Sequence, residues 1–326
     1  MNNLFLILKN VGYLIEIQYY FAVQMSTVIQ SKSNYKKWLK LLLKIVVSGL
    51  CIWYVSGKID FAKAGAAFQK ANVLFLILAL IAFVISKIIA SWRLKIYFKN
   101  IFIRLTEQTN LKLYWLGMFY NLFLPGSIGG DAYKVLLLKK KLNAPYKKTM
   151  AAVLLDRFSG LLALGLILSV YGIFVLDYIG YIISLCGLSL MAVALLFYII
   201  NRWLKDFLPS FFPTLVLGIA VQVAQVICVY FIMASLHIEV HKTELIFLFL
   251  VSSIASVLPF TIGGLGIREI VFLQGSLYFG LSQETAVVIS LLFYLITLVT
   301  SAIGAVYIFK DPLQEIILSD NTQHHS

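Results

Sequence analysis

The chain has 326 residues, 61% of them hydrophobic and 13% charged, with mean hydropathy +0.93. No soluble globular domain is this apolar; the apolar runs reach membrane-spanning length, and the short alternating segments of a membrane β-barrel are absent. The formal net charge of +13 does not point to nucleic acid, because the basic residues sit in short loops beside apolar runs, as cytoplasmic loops do.

Residues 3–24 are apolar but carry Lys9, Asn10, Glu16 and Gln18. That is too polar for a good span, and no basic start marks a signal peptide. Residues 1–34 therefore read as an interfacial segment, or as sequence ahead of a true start at Met25. A basic run from Lys32 to Lys44 leads into a first span at 38–56, and a second follows at 73–91. Segment 92–112 is basic and amphipathic. Residues 113–128 are apolar and end at a Pro-Gly break. Further apolar runs occupy 150–176, 181–200, 212–236, 245–259, 268–280 and 285–309, before a tail at 311–326. Segments 113–128 and 268–280 are short for a crossing, which takes ~20 residues.

One phrase occurs twice. Leu124-Pro125-Gly126-Ser127-Ile128-Gly129-Gly130-Asp131-Ala132-Tyr133-Lys134 returns as Leu258-Pro259-Phe260-Thr261-Ile262-Gly263-Gly264-Leu265-Gly266-Ile267-Arg268. Both copies interrupt apolar sequence, where breaking a helix exposes backbone groups to lipid. Segments 31–44, 92–112 and 131–148 hold most of the chain's 27 Lys and Arg. With these on the cytoplasmic side, segment 113–128 enters the membrane from inside and returns. Segment 245–280 dips in from outside. The expected fold is an all-α polytopic membrane protein of about seven to nine apolar helices, with two broken re-entrant hairpins around 113–138 and 245–275 in inverted orientation. Inverted, discontinuous helices of this kind build transporter sites.

Each part of the motif has a physical reading. Pro125 and Pro259 lack an amide hydrogen and end a helix. Gly129-Gly130 and Gly263-Gly264 permit positive φ and close backbone approach, and Gly266 is counted with them as a candidate site residue. Freed amides at the start of a half-helix attract an anion, Ser127 and Thr261 add hydroxyls, and Lys134 and Arg268 add a positive charge to each copy. Together they suit a phosphate. The simpler alternative is that Gly permits tight packing and Pro-Gly only turns the chain; two related copies favour a site. Asp156-Arg157 and Arg268-Glu269 place charges beside apolar runs, where each must be paired or hydrated. The first pair reads as mutually neutralising, as a snorkelling interface residue, or as facing a cavity against the Gly129-Gly130 turn; Asp131 is counted among the candidate site residues. Asn121, Gln222 and Gln225 read as interhelical hydrogen bonds or cavity lining. Lys87 reads as a snorkelling cation near the inner end of its span.

Three phrases carry a family resemblance: Asn121-Leu122-Phe123-Leu124-Pro125-Gly126-Ser127-Ile128-Gly129-Gly130-Asp131, then Leu155-Asp156-Arg157, then Leu258-Pro259 with Gly263-Gly264-Leu265-Gly266-Ile267-Arg268-Glu269. Together they resemble the transmembrane region of the lysylphosphatidylglycerol synthase and flippase family, over roughly residues 35–310. In two-part members this region is the flippase half, and a separate cytoplasmic domain transfers lysine onto phosphatidylglycerol. No such transferase is expected here, so the resemblance implies a stand-alone flippase-like domain. Other stand-alone relatives are linked to polyprenyl-phosphate or glycolipid pathways, which leaves the cargo open.

The leading expectation is a translocator of lipid or lipid phosphate in the bacterial inner membrane, multi-pass, with a cytoplasmic C-terminus. Its partners would be anionic phospholipid or polyprenyl phosphate, and a separate lipid-modifying enzyme. The alternative is an integral membrane enzyme, or its accessory subunit, acting on polyprenyl-phosphate-linked sugars or phospholipid headgroups. Such enzymes usually set carboxylates or histidines in sizeable loops, and here the outer loops are short. No cofactor or metal is expected. Cys51, Cys186 and Cys228 lie in apolar segments, and His237 and His241 have no evident third ligand. No P-loop pattern is present, so direct ATP use is not expected.

Overall fold

The computed structural model describes residues 71–123, 129–257 and 264–310, together with 53, 65, 69, 312 and 313. The expected interfacial segment, the span at 38–56, most of the tail, and the breaks 124–128 and 258–263 lie outside the described residues, and with them Pro125, Ser127, Pro259, Thr261 and Gly263. Among the described residues every regular element is a helix, and the protein is an all-α polytopic membrane protein. In order the helices are α1 (Val73–Asn100), α2 (Glu107–Phe123), α3 (Gly129–Leu142), α4 (Tyr146–Val175), α5 (Ile179–Trp203), α6 (Phe211–Ser235), α7 (Lys242–Val257), α8 (Ile267–Tyr278) and α9 (Gln283–Ala302). A 3₁₀ turn at Lys205–Ser210 leads directly into α6.

Among the described residues, five stretches are long and apolar enough to cross a membrane: Val73–Asn100, Tyr146–Val175, Ile179–Trp203, Lys205–Ser235 and Gln283–Phe309. The helices α2, α3, α7 and α8, of 17, 14, 16 and 12 residues, form two pairs, each joined across a break.

Sidedness follows from how α1 and α6 lie together. The Asn72 N–H donates to the Ser235 carbonyl at 2.9 Å, so the start of α1 adjoins the end of α6. At the other end Asn100 bonds Ser210, and Tyr97 Oη meets Thr214 Oγ1 at 2.7 Å. The two helices are therefore antiparallel. The α2–α3 pair begins seven residues past the end of α1, and the α7–α8 pair begins seven past the end of α6. Three crossings, α4, α5 and α6, separate the two pairs. A pair that enters and returns adds no net crossing, so the two hairpins open to opposite sides.

One boundary differs from the sequence reading. The run expected to end at 91 continues as helix to Asn100, where Ile101 and the positive φ of 63° at Phe102 turn the chain. Segment 92–112 is thus not a single amphipathic stretch: its first part carries on α1, with Arg93, Leu94, Tyr97 and Phe98 buried. Arg93 does not end the buried run because its charge is met by Asp156.

Two apolar clusters hold the helices. One gathers Phe83, Ile232, Phe249, Phe272 and Phe293; the other gathers Leu94, Tyr97, Leu113, Leu138 and Phe207. Buried hydroxyls such as Ser86, Ser252 and Thr300 return their hydrogen bonds to carbonyls three or four residues back, which keeps them satisfied without water. Helix α5 buries only Ser189 and Ile200 and is held to α4 by the Ser169–Ser189 hydrogen bond of 2.9 Å. Leu185, Val193 and Leu196 pack half-buried against the two clusters, while Ile183, Leu188, Leu190, Met191 and Leu195 are exposed, as in a helix bordered by lipid.

A direct test of the opposed hairpins uses single cysteines at Lys140 and Val240, with Cys51, Cys186 and Cys228 replaced. A membrane-impermeant maleimide is expected to label the two from opposite sides of sealed vesicles. Labelling of both from one side would overturn the arrangement.

Candidate functional site

Asp156 and Arg157 are neighbours on α4, and adjacent positions on a helix point about 100° apart. The structure uses both directions. Asp156 Oδ1 accepts from Arg93 Nε at 2.7 Å, tying α4 to α1. Arg157 Nε donates to Asp131 Oδ2, tying α4 to the first hairpin. The expectation that the two neutralise each other gives way to this crossed pairing, in which Arg93, counted from sequence as a loop cation, is the partner of Asp156.

Asp131 carries a second load. Its Oδ1 accepts from Lys134 Nζ at 3.0 Å, and the Lys134 ammonium lies 4.8 Å over the Tyr114 ring. Asp131 stands in the first turn of α3, where a carboxylate is favoured by the helix dipole. The Gly130 N–H, one of the amides expected to be free for an anion, donates to Asn121 Oδ1 at 2.9 Å. That amide is thus already bonded within the chain. Gly129 and Gly130 are helical rather than left-handed. The need for glycine at 130 is steric: a Cβ there would fall 1.9 Å from the Gly117 carbonyl oxygen, so α2 and α3 touch through backbone.

The second hairpin is built differently. Gly264 and Gly266 have φ of 85° and 90°, a region costly for residues with a Cβ. They turn the chain into α8. Glu269 closes that turn, its Oε2 accepting from the Gly266 N–H at 2.6 Å and its Oε1 from Ser290 Oγ at 2.7 Å. Arg268 points the other way. Its guanidinium donates to Ser256 Oγ at 3.0 Å and Ser253 Oγ at 3.3 Å, and lies 5.1 Å from the Phe293 ring centre and 5.9 Å from that of Phe249. Those rings pack edge to face at 4.7 Å and hold the guanidinium in place.

Arg268 opens onto a cavity of about 250 Å³ whose wall also carries Lys87, Arg157, Gln222, Gln225 and Ser256. Lys87 is the fifteenth of the 28 residues of α1, not near an end. Because α1 runs on to Asn100, this lysine cannot be read as snorkelling from an inner end; its ammonium sits 4.3 Å over the Phe83 ring, on the cavity wall. Gln222 spans both readings made for it: Nε2 reaches the Gly160 carbonyl at 3.3 Å, while Oε1 is buried with no partner among the described residues. Lys134 does not line the cavity.

The expected site residues therefore divide. Arg157 and Arg268 reach the cavity; Asn121, Gly130, Asp131 and Lys134 form the network behind Arg157; Asp156 pairs apart from it with Arg93; Gly264, Gly266 and Glu269 shape the turn that presents Arg268. Sequence reasoning missed the roles of Lys87 and Arg93. The signal was present: Ser86, Ala90, Arg93 or Leu94, and Tyr97 follow one helical stripe past the nominal end of the span.

The Arg93–Asp156 pair is buried on both sides. Removing one member of such a pair leaves an uncompensated charge, at a cost of about 3–5 kcal/mol, whereas removing both is far milder. Thermal unfolding in detergent is expected to show Arg93→Met and Asp156→Leu each strongly destabilised and the double variant more stable than either. Additive losses would show that the two charges are not coupled.

A family model described as the lysylphosphatidylglycerol synthase TM region matches residues 41–304. A curated relative, a UPF0104 membrane protein of Pyrococcus horikoshii, is 27% identical over 124 residues, covering 37% of this chain and 36% of that protein. The matched part is thus about a third of that relative's length.

Proposed function

Because the chain belongs to the lysylphosphatidylglycerol synthase transmembrane-region family, we propose that it carries an anionic lipid headgroup from one leaflet to the other. The observation that carries this reading is the cavity. Lys87, Arg157 and Arg268 converge there from α1, α4 and α8, among segments otherwise apolar. Cations within a membrane domain are expensive and mark the path of what they bind. The two hairpins open to opposite sides, which is the geometry needed for access from each leaflet in turn.

Arg157 gives the cavity a link to the first hairpin. It shares Asp131 with Lys134, so a phosphate oxygen in the cavity competes with Asp131 for the guanidinium. Drawing Arg157 toward the cavity weakens its hold on α3 and shifts the balance between the two access states. Lipid acyl chains remain in the bilayer, since a cavity of about 250 Å³ holds a headgroup and not a whole lipid; drug-sized ligands occupy roughly 300–1,000 Å³. The natural setting for this activity is the bacterial inner membrane, with the Lys139–Lys141 end of α3 and the C-terminus in the cytoplasm.

Purified protein in liposomes with fluorescent anionic phospholipid should move label between leaflets, read by dithionite quenching. Arg268→Gln is expected to slow this at least tenfold at unchanged folded yield, while Lys139→Gln on the exposed end of α3 leaves it unaltered. Equal rates for Arg268→Gln and the natural sequence would remove the cavity from the mechanism. Recovery of a chemically altered lipid would favour the enzyme alternative.

A further inference from the structure

The charge balance around the cavity discriminates among anionic headgroups. Arg93 is matched by Asp156, and Arg157 and Lys134 share the single carboxylate of Asp131. Glu269 is directed to the Gly266 amide and Ser290. Among the described residues neither Lys87 nor Arg268 makes an ion pair with a carboxylate: Arg268 feels the charge of the adjacent Glu269, but its hydrogen bonds go to two serine hydroxyls. Counting all of these groups together, five cations stand against three carboxylates, an excess of two positive charges.

No carboxylate lines the cavity among the described residues. In the sequence, neither motif segment 124–128 nor 258–263 contains an acidic residue. A headgroup that brought an ammonium would find no counter-charge, and would meet Lys87 and Arg268 at close range, where like charges repel strongly in a medium of low dielectric. An aminoacylated or ethanolamine headgroup therefore fits poorly. A phosphate diester such as phosphatidylglycerol brings one negative charge and leaves half of the excess unmet. A phosphate monoester brings close to two near neutral pH, with three oxygens able to accept charge-assisted hydrogen bonds.

Resting on the translocator reading, we propose that the cargo is a lipid phosphate monoester, held with one oxygen toward Lys87 and others toward Arg268 and Arg157. Two lipid classes end in this group: the diacylglycerol phosphates and the polyprenyl phosphates. Their headgroup chemistry is shared, and they differ only in the chains that stay in the bilayer. Lys87 is the selectivity residue here, because it supplies the second uncompensated charge from a helix that belongs to neither hairpin.

The test is competitive lipid retention by the purified full chain in neutral detergent, followed by native mass spectrometry. The arms are phosphatidate, a polyprenyl monophosphate, phosphatidylglycerol and lysyl-phosphatidylglycerol at equal concentration. At least one monoester is expected to exceed phosphatidylglycerol about tenfold, with the lysyl lipid at background. Comparing the two monoester arms separates diacylglycerol from polyprenyl cargo. Lys87→Met is expected to abolish the preference for monoester over diester while still retaining anionic lipid through Arg268, a change of ratio that a merely misfolded variant would not give. Equal retention of monoester and diester by the natural sequence, or an unchanged ratio in Lys87→Met, overturns this proposal and leaves anionic lipid transport standing. Preference for the lysyl lipid overturns the proposal and the anionic cavity together. Retention of no lipid in any arm removes the translocator reading as well.

Discussion

Two adjacent residues on α4 hold the charged part of this membrane protein together. Asp156 turns to Arg93 on α1, and Arg157 turns to Asp131 on α3. A single turn of one helix thereby fixes a long span on one side and a hairpin on the other. The Arg93–Asp156 contact is the indispensable one, because breaking a buried pair leaves a lone charge that costs several kcal/mol. Once both are made, α1 can run on past Arg93 as a buried helix to Asn100, and that extension sets Lys87 halfway along its length. The cavity exists where it does because of this register.

The two copies of the motif have diverged around a common plan. Lys134 and Arg268 occupy equivalent positions in the repeat, yet the first is neutralised by Asp131 and the second opens on the cavity. Their glycines diverge as well. In the first hairpin Gly130 serves backbone contact between α2 and α3; in the second, Gly264 and Gly266 supply left-handed turns. One amide at the start of each second half-helix is already bonded within the chain, the Gly130 N–H to Asn121 and the Gly266 N–H to Glu269. Among the described residues, the groups that face the cavity with a positive charge are therefore side-chain cations, Lys87, Arg157 and Arg268.

Much of the architecture is legible in the amino-acid sequence. Apolar runs of spanning length and the uneven placement of Lys and Arg are direct consequences of a lipid solvent, so helix count, hairpin positions and their opposed entry follow from them. Charge pairing is not legible in the same way. Asp156-Arg157 reads as a pair because the residues are neighbours in sequence, while helix geometry directs them apart. Arg93 reads as a loop cation because a positive charge ordinarily ends an apolar run; its partner lies 63 residues away, and no local pattern reports a contact at that separation. Lys87 is misplaced by its sequence context for the same reason, since its depth depends on where α1 ends.

What remains charged in the cavity is informative because the rest has been neutralised with care. Serine and threonine hydroxyls return to their own helices, Asn110 Nδ2 bonds Ser91, and Glu269 is satisfied by a turn amide and Ser290. Against that background Lys87 rests on an aromatic ring, and Arg268 on two rings and two hydroxyls. Aromatic faces and hydroxyls lessen the penalty of a buried cation without cancelling its charge. They hold each group in position and leave its electrostatic demand unmet. A carboxylate at either place would stabilise the empty protein, and would also fill the site with a permanent internal anion, as Asp131 does for Lys134. Keeping the cations supported but unneutralised sacrifices stability, and on the translocator proposal that cost is what leaves the cavity able to take an exchangeable anion.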